Sequence, residues 1–368
     1  MSRLSKFLLV VAVLVAFMTL AVYLVLGLPT FGGAMEGERL HRMQQSPHYM
    51  HGRFENQPPY RSELALVQNI RDYLGGQKRE PGFAIPVLPL AAGSLKLPPL
   101  AGMRAIWFGH STVLIEIDGV RILTDPVLSQ RASPFQFVGP ERMHAPPIAL
   151  TRLDGIDAVV ISHDHYDHLD RDTLLQLARG GTHFFVGLGI GAHLQRWSIP
   201  MTQIHEMDWW ETQRFKGVDI HNTPARHYSG RKSMDNSTLW SSWMIGGAGY
   251  SVYYSGDTGY GPHFKEIAQR LGAPDLALMK VGAYGHSWLD IHMNPESAVQ
   301  AQLDLGAKTL LPVHWATFNL SYHAWDEPIL RTLAAAQAKG VQVVTPRVGE
   351  VVDVDVPFVN QEWYRGTP

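Results

Sequence analysis

Cysteine is absent from the 368 residues. No disulfide framework is available, and any metal site must be built from imidazole and carboxylate, which excludes a cysteine-ligated structural zinc. Charge is sparse as well, at 17% of residues with a net of −2. No block of Lys and Arg occurs, so the chain lacks the clustered positive charge that a nucleic-acid partner requires. Internal repeats and low-complexity tracts are also missing. With 45% hydrophobic residues the chain can bury a full core, and its composition excludes disorder.

Long apolar runs are confined to one place. Phe7 to Leu28 is interrupted only by Thr19, Tyr23 and Gly27, preceded by Arg3 and Lys6, and followed by no charge until Glu36. A bilayer takes about 20 such residues. A cleaved secretory signal is the competing reading, but its apolar core runs to only ~15 residues, and the Gly33-Ala34 region is a poor cleavage site. The run is therefore expected to be an uncleaved single-pass anchor. The flanking positives place the N-terminus in the cytoplasm and the remaining chain outside, on the periplasmic or outer side of a bacterial inner membrane.

Three segments follow: a tip and anchor over 1–34, a Pro/Gly-rich arm over 35–100, and a catalytic domain over 101–368. One helix is predicted in the arm, Ser62 to Leu74, with Leu66, Ile70 and Leu74 on one face. From Arg104 the pattern turns to short β-rich runs. Ala105 to Phe108, Val113 to Ile117 and Arg121 to Thr124 read as a meander whose second turn is Asp118-Gly119. Strands and helices then take turns. The strands are Ala158 to Ser162, Val218 to Thr223, Tyr250 to Ser255, Leu276 to Val281, Thr309 to Val313 and Val341 to Val344. The helices are Arg171 to Ala178, His263 to Leu271, Pro295 to Leu305 and Pro328 to Lys339. Asn294-Pro295 opens one helix and Gly340 closes another. The result is a layered α/β protein.

Three of these strands run directly into a residue that binds metals: Ile161-Ser162 into His163, Ser255-Gly256 into Asp257, and Pro312-Val313 into His314. A fourth leads to His227. If the strands lie side by side, their ends share one edge of the sheet, where ligands bind. His163, His165, Asp167 and His168 supply four donors within six residues, which a tight loop can divide between two ions. His163 and His165 with His227 would serve one, Asp167 and His168 with His314 the other, and Asp257 would bridge. Coordination left open marks a catalytic site. The donor types favour two zinc ions, although iron or manganese also accept imidazole with carboxylate. Two adjacent divalent ions, about 3.5–4 Å apart in such sites, lower the pKa of a water and suit ester or phosphodiester hydrolysis. Taken singly, His227 and His314 are indifferent and Asp257 could be a turn former; a histidine-rich surface loop is the bland alternative for the cluster.

Several further stretches carry a resemblance: Trp107-Phe108-Gly109-His110-Ser111-Thr112-Val113-Leu114, Leu123-Thr124-Asp125-Pro126, Met207-Asp208-Trp209-Trp210-Glu211, Ser255-Gly256-Asp257-Thr258-Gly259-Tyr260, Val281-Gly282-Ala283-Tyr284 and His314-Trp315-Ala316-Thr317-Phe318. With the His163 to Asp170 run they resemble the metallo-β-lactamase superfamily, and within it the N-acylphosphatidylethanolamine-hydrolysing phospholipase D branch. The likeness covers about residues 50 to 350, including Gly52-Arg53-Phe54-Glu55-Asn56 in the arm. It implies an αββα sandwich behind the transmembrane helix, the seven-donor set above, and Asp125 steadying a ligand histidine through its other nitrogen. It also implies His323 near the substrate head group, with Asp167 and Asp257 acting in catalysis. The spanning segment departs from that branch, whose best-known members are peripheral.

The expected activity is hydrolysis of a membrane glycerophospholipid of N-acylphosphatidylethanolamine type. A lactone, β-lactam or soluble phosphodiester is the alternative substrate, and a non-catalytic metal-binding envelope protein the alternative class. Trp209, Trp210, Trp240 and Trp243 read as core before acyl groove. Tyr166 either contacts substrate or packs, His110 either reaches a phosphate or forms a turn, and His286 and His292 are expected to hydrogen-bond within their loop.

Overall fold

Runs such as Val113-Leu114-Ile115 and Ala158-Val159-Val160-Ile161 are apolar on both faces, so they are stable only in a sheet covered on both sides. A computed structural model, which describes residues 2–60, 66–91, 93–99 and 101–366, places them in such a sheet. Strands β3 (Met103–Gly109), β4 (Thr112–Ile117) and β5 (Val120–Thr124) form the antiparallel meander. Asp118 and Gly119 both take positive φ at its second turn, as a two-residue hairpin of this hand requires. Strands β6 (Ala158–Ile161), β7 (His183–Gly187) and β8 (Ile204–Met207) then add in parallel to β5.

The second sheet begins antiparallel, with β9 (Thr212–Phe215), β10 (Val218–Thr223), β11 (Ser242–Gly246) and β12 (Ser251–Tyr254). It ends parallel, with β13 (Leu276–Lys280), β14 (Thr309–Val313) and β15 (Gln342–Val343). β16 (Val351–Asp353) returns to β3, so each sheet has seven strands.

Alternation decides what each face meets. Trp107, Val113, Ile115 and Val160 point between the sheets and pack with Trp243, Tyr254 and Leu278. Phe108, Leu114, Val159 and Ile161 point the other way, onto α4 (Arg171–Arg179) and α5 (Ile190–Arg196). Helices α6 (His263–Leu271), α7 (Pro295–Leu305) and α8 (Glu327–Lys339) cover the second sheet. This is the four-layer αββα arrangement. The parallel strands of each sheet end on one edge, and β5, β6, β12 and β14 run there into Asp125, His163, Asp257 and His314.

At the N-terminus, α1 (Arg3–Leu26) has a hydropathy of 2.9 and no buried residue, so it is long and apolar enough to cross a membrane. The arm is more ordered than its Pro/Gly content suggests. It holds α2 (Gly37–Gln45), the hairpin of β1 (Tyr49–Met50) and β2 (Arg53–Phe54), and α3 (Leu66–Leu74). The predicted start of the last helix, Ser62 to Ala65, lies outside the described residues. α2 is mostly polar and carries too few apolar residues to show a period in the sequence. It forms through tertiary contacts: Met43 is fully buried with Phe54 and Trp240, and Arg39 pairs with Glu206 at 2.7 Å. β9 is a similar case, a short polar strand at a sheet edge.

Trp243 joins the two sheets beside the histidine-rich loop. It is fully buried, and its indole N–H donates to the Ile161 carbonyl at 3.1 Å. Trp243→Ala should lower unfolding stability by about 3–5 kcal/mol, with Trp243→Phe losing less, in denaturant titrations followed by circular dichroism.

Candidate metal centre

The loop after β6 is held from both sides before any cation enters. Gly256, at φ 54°, lets the chain leave β12 tightly against it; a Cβ there would stand 2.5 Å from the Ser162 Cβ. Asp125, at the end of β5, accepts from the Ser162 amide at 2.7 Å, from the Tyr254 hydroxyl at 2.5 Å, and also from the Ser162 hydroxyl. Its Oδ2 binds His168 Nδ1 at 2.6 Å. That contact fixes the ring and turns His168 Nε2 towards the centre. Burial would lower this imidazole, but without a cation Asp257, Asp167 and Asp125 outweigh burial and hold it well above its usual range. His227 is oriented in the same way, its Nδ1–H donating to the Ile291 carbonyl at 3.1 Å. The arm contributes here, since the Asn56 amide donates to the His227 carbonyl at 2.7 Å.

The structure brings together all seven donors named from sequence. His165 Nδ1 lies 2.8 Å from His163 Nε2 and 3.3 Å from His227 Nε2. In the adjoining group, Asp167 Oδ2 lies 3.3 Å from His168 Nε2 and 3.4 Å from His314 Nε2. Asp257 Oδ2 faces both, at 3.0 Å from His314, 3.4 Å from His168 and 3.9 Å from His227. His110, whose sequence reading is open, joins them, and so does His292, which the sequence expects to hydrogen-bond within its loop but which instead turns to Asp257 and leaves its Nδ1 without a partner. His110 Nε2 meets Asp167 at 3.0 Å, and His292 Nε2 meets Asp257 at 3.4 Å.

These residues fit a cation. Buried donor atoms without a hydrogen-bond partner include His168 Nε2, Asp257 Oδ1 and both nitrogens of His314, although an orphaned buried polar group is costly. Nitrogen and oxygen donors at tetrahedral zinc stand about 3.3 Å apart, close to the spacings above. The electrostatics agree. Burial holds His163, His227 and His292 well below the usual imidazole range, as neutral donors. Burial alone would raise the carboxyls of Asp167 and Asp257, yet the surrounding imidazoles hold both well below normal. Backbone strain concentrates here too, with positive φ at His110, Asp125, Ala283, His314 and Ala316.

A cavity of about 430 Å³ opens over the cluster. His165, Asp167, Asp257, His292 and His314 form its floor, and Tyr60, Tyr228, Met234, Trp288, Ile291 and Leu320 its walls. The Tyr228 ring lies tilted against His165 at 4.4 Å; burial and the carboxylates push its phenol up to about 12. Nothing in the composition of the wall segments marked them, because an isolated Tyr or Met carries no spacing signal.

Other expectations are resolved differently. Tyr166 packs: its hydroxyl donates to the Arg231 carbonyl at 2.9 Å, and the Arg231 guanidinium covers its ring at 4.0 Å. Trp240 and Trp243 are core, Trp209 bonds the Trp240 carbonyl, and Trp210 stacks on Arg270; none lines the cavity. His286 lines a separate hollow beside Tyr284. His323 stands outside the cluster. Its Nε2 accepts from the Ala283 amide at 3.0 Å and its Nδ1–H donates to the Ala324 carbonyl at 2.8 Å, so neither nitrogen is left for a substrate.

An αββα sandwich with a histidine- and aspartate-lined centre at its strand ends defines a metal-dependent hydrolase fold. Residues 120–315 match the β-lactamase superfamily domain, and the chain belongs to that superfamily. It is 44% identical over 334 residues, 88% of each chain, to an uncharacterized protein of Mycobacterium tuberculosis. It is 33% identical over 307 residues, 78% of this chain and 86% of the other, to the N-acyl-phosphatidylethanolamine-hydrolyzing phospholipase D 1 of Caenorhabditis elegans. Among solved structures, a metallo hydrolase of Ignicoccus hospitalis is similar with a TM-score of 0.54 and 27% identity, over 68% of this chain and 97% of that one.

Buried neutral histidines away from the centre make stability depend on pH. Burial lowers His144 and His263 to about 3. The unfolded chain protonates them near 6.5, so their contribution is complete above that pH and is lost as pH falls towards 3. At pH 5 each costs about 2 kcal/mol relative to neutral pH. Thermal melts of metal-free protein at pH 7.5 and pH 5 should show this loss, and His144→Gln should reduce it by about 2 kcal/mol.

Proposed function

We propose that this protein is a membrane-anchored, binuclear zinc hydrolase of phospholipase D type, cleaving a glycerophospholipid of the N-acylphosphatidylethanolamine kind. One observation carries the reading: a floor of cation donors and a wall of apolar side chains share one cavity. A phosphodiester joined to acyl chains presents that pairing of anion and hydrocarbon, whereas a small soluble ester does not need the wall. The name of the Caenorhabditis elegans relative supports the same chemistry.

His163, His165 and His227 would hold one ion and Asp167, His168 and His314 the other, with Asp257 available to both. Zinc suits the donors, and two such ions acidify a water and neutralise developing negative charge. The chain itself supplies orientation. Asp167, held by His110, stays ionised and orients the attacking water by accepting a hydrogen bond from it. His292, at the cavity floor, faces the phosphoryl group. His323 acts as a positioning residue through Ala283, which lines the same cavity. Water adds to phosphorus, the bond to the N-acylethanolamine oxygen breaks, that oxygen takes the proton, and phosphatidic acid remains. α1 crosses the membrane with its N-terminus in the cytoplasm, so the catalytic domain meets its substrate at the outer face of the inner membrane.

Asp257→Asn and His165→Ala should leave the circular dichroism spectrum unchanged while lowering release of phosphatidic acid at least about a hundredfold, the scale of losing one electrostatic contributor. Full activity in either variant would overturn the mechanism. Turnover confined to lactones, β-lactams or soluble phosphodiesters would overturn the lipid assignment. No turnover on any ester, with metal removal changing only stability, would make the centre a non-catalytic scaffold.

A further inference from the structure

The end of α1 is clamped to the catalytic domain. The Trp197 indole donates to the Pro29 carbonyl at 2.6 Å, Arg231 Nε donates to the Thr30 carbonyl at 2.9 Å, and the Gly33 amide donates to His193 Nδ1 at 3.0 Å. Two of these partners also hold the histidine-rich loop. Arg231 Nη1 donates to the carbonyls of Asp164 and Leu169, at 2.8 and 3.0 Å, and His193 Nε2 bonds Asp164 at 3.2 Å. The anchor and the candidate metal loop are therefore parts of one hydrogen-bonded unit.

Beside this clamp stands an apolar tip. The Thr30 hydroxyl donates to the Pro134 carbonyl, Phe31 meets Phe135 at 6.0 Å, and Phe135 stacks on Phe137 at 5.3 Å. Phe137 is 81% exposed and Val138 52% exposed. From Ala132 to Pro140 the tip has no charged residue. Its stem is closed: Arg131 pairs with Glu141, and the Ala132 amide donates to the Pro140 carbonyl at 3.0 Å. A closed stem holds the two apolar side chains outward in place of folding them in. Exposed apolar clusters of this kind mark contact surfaces.

We propose that the Ser133–Val138 tip is a second membrane contact, seating Phe137 and Val138 in the lipid interface next to the exit of α1. The inference rests on α1 spanning the bilayer. A helix of its length rises about 36 Å, against a hydrocarbon core of about 30 Å, so Leu28 to Phe31 emerge in the interfacial layer. The two ring contacts that follow place Phe137 beside that layer. Apolar side chains there gain burial among acyl chains, and an uncharged tip enters without desolvating a charge. A second contact removes the rotation that a single helix leaves free, and the shared clamp then sets the cavity at one orientation to the lipid surface.

Because the chain has no cysteine, single-cysteine variants of the full-length protein can be labelled at one site each. M18C in α1, F137C and V138C in the tip, and V359C after β16, where Val359 is 80% exposed, would carry an NBD fluorophore. The proteins would be reconstituted in phosphatidylcholine/phosphatidylglycerol vesicles containing shallow doxyl-labelled lipid. The labels at 18, 137 and 138 should shift to the blue and lose more than half of their emission to the quencher, and the label at 359 should do neither. Quenching at 18 with water-like emission at 137 and 138 would overturn the tip contact alone. Water-like emission at all four positions would overturn both this contact and the spanning anchor.

Discussion

One buried carboxylate organises the centre. Asp125 is fully buried, and it receives Ser162 from β6, Tyr254 from β12 and His168 from the loop between. A buried carboxylate is tolerable only when its oxygens are hydrogen-bonded. Using these three donors together brings the ends of both sheets to one point. The same bonds that satisfy Asp125 therefore close the sandwich at its functional edge and aim His168. The Trp243 indole on the Ile161 carbonyl and the Ser241 amide on the Ser162 carbonyl fasten the same seam beside it.

The centre that results is a set of buried groups that suit a cation better than they suit one another. His163, His227 and His292 are kept neutral by burial, Asp167 and Asp257 are kept ionised chiefly by His168 and His314, and several donor atoms have no protein partner. Burial also affects neighbours that sequence spacing did not single out. Lys280, at the end of β13, is fully buried with one bond to the Met293 carbonyl, and burial brings its ammonium down to about 7 against the pull of Asp257. The strained backbone at His110, His314 and Ala316 belongs to the same economy of space. Positions that no unstrained turn would supply bring His314 beside Asp257, and the surrounding core holds them there.

The N-terminal part of the chain is tied into this unit at two points. Asn56 steadies His227 from the arm, and Arg231 and His193 join the segment after α1 to the histidine-rich loop. The same side chains thus meet the segment after α1 and the histidine-rich loop.

The sequence by itself determined the layered α/β class, the apolar N-terminal helix and the residues that end the central strands. Each is a local pattern: an alternation of apolar residues, a long run without charge, a cluster of histidines within six positions. Such patterns survive because strand, helix and tight loop are short-range structures. Only the tertiary structure decided that His110 and His292 stand in the cluster, that His323 spends both nitrogens on backbone, that Tyr166 turns away under Arg231, and that a polar helix in the arm forms around Met43. Those outcomes depend on which side chains meet across the two sheets. Contacts between distant positions leave no periodicity in the chain that forms them.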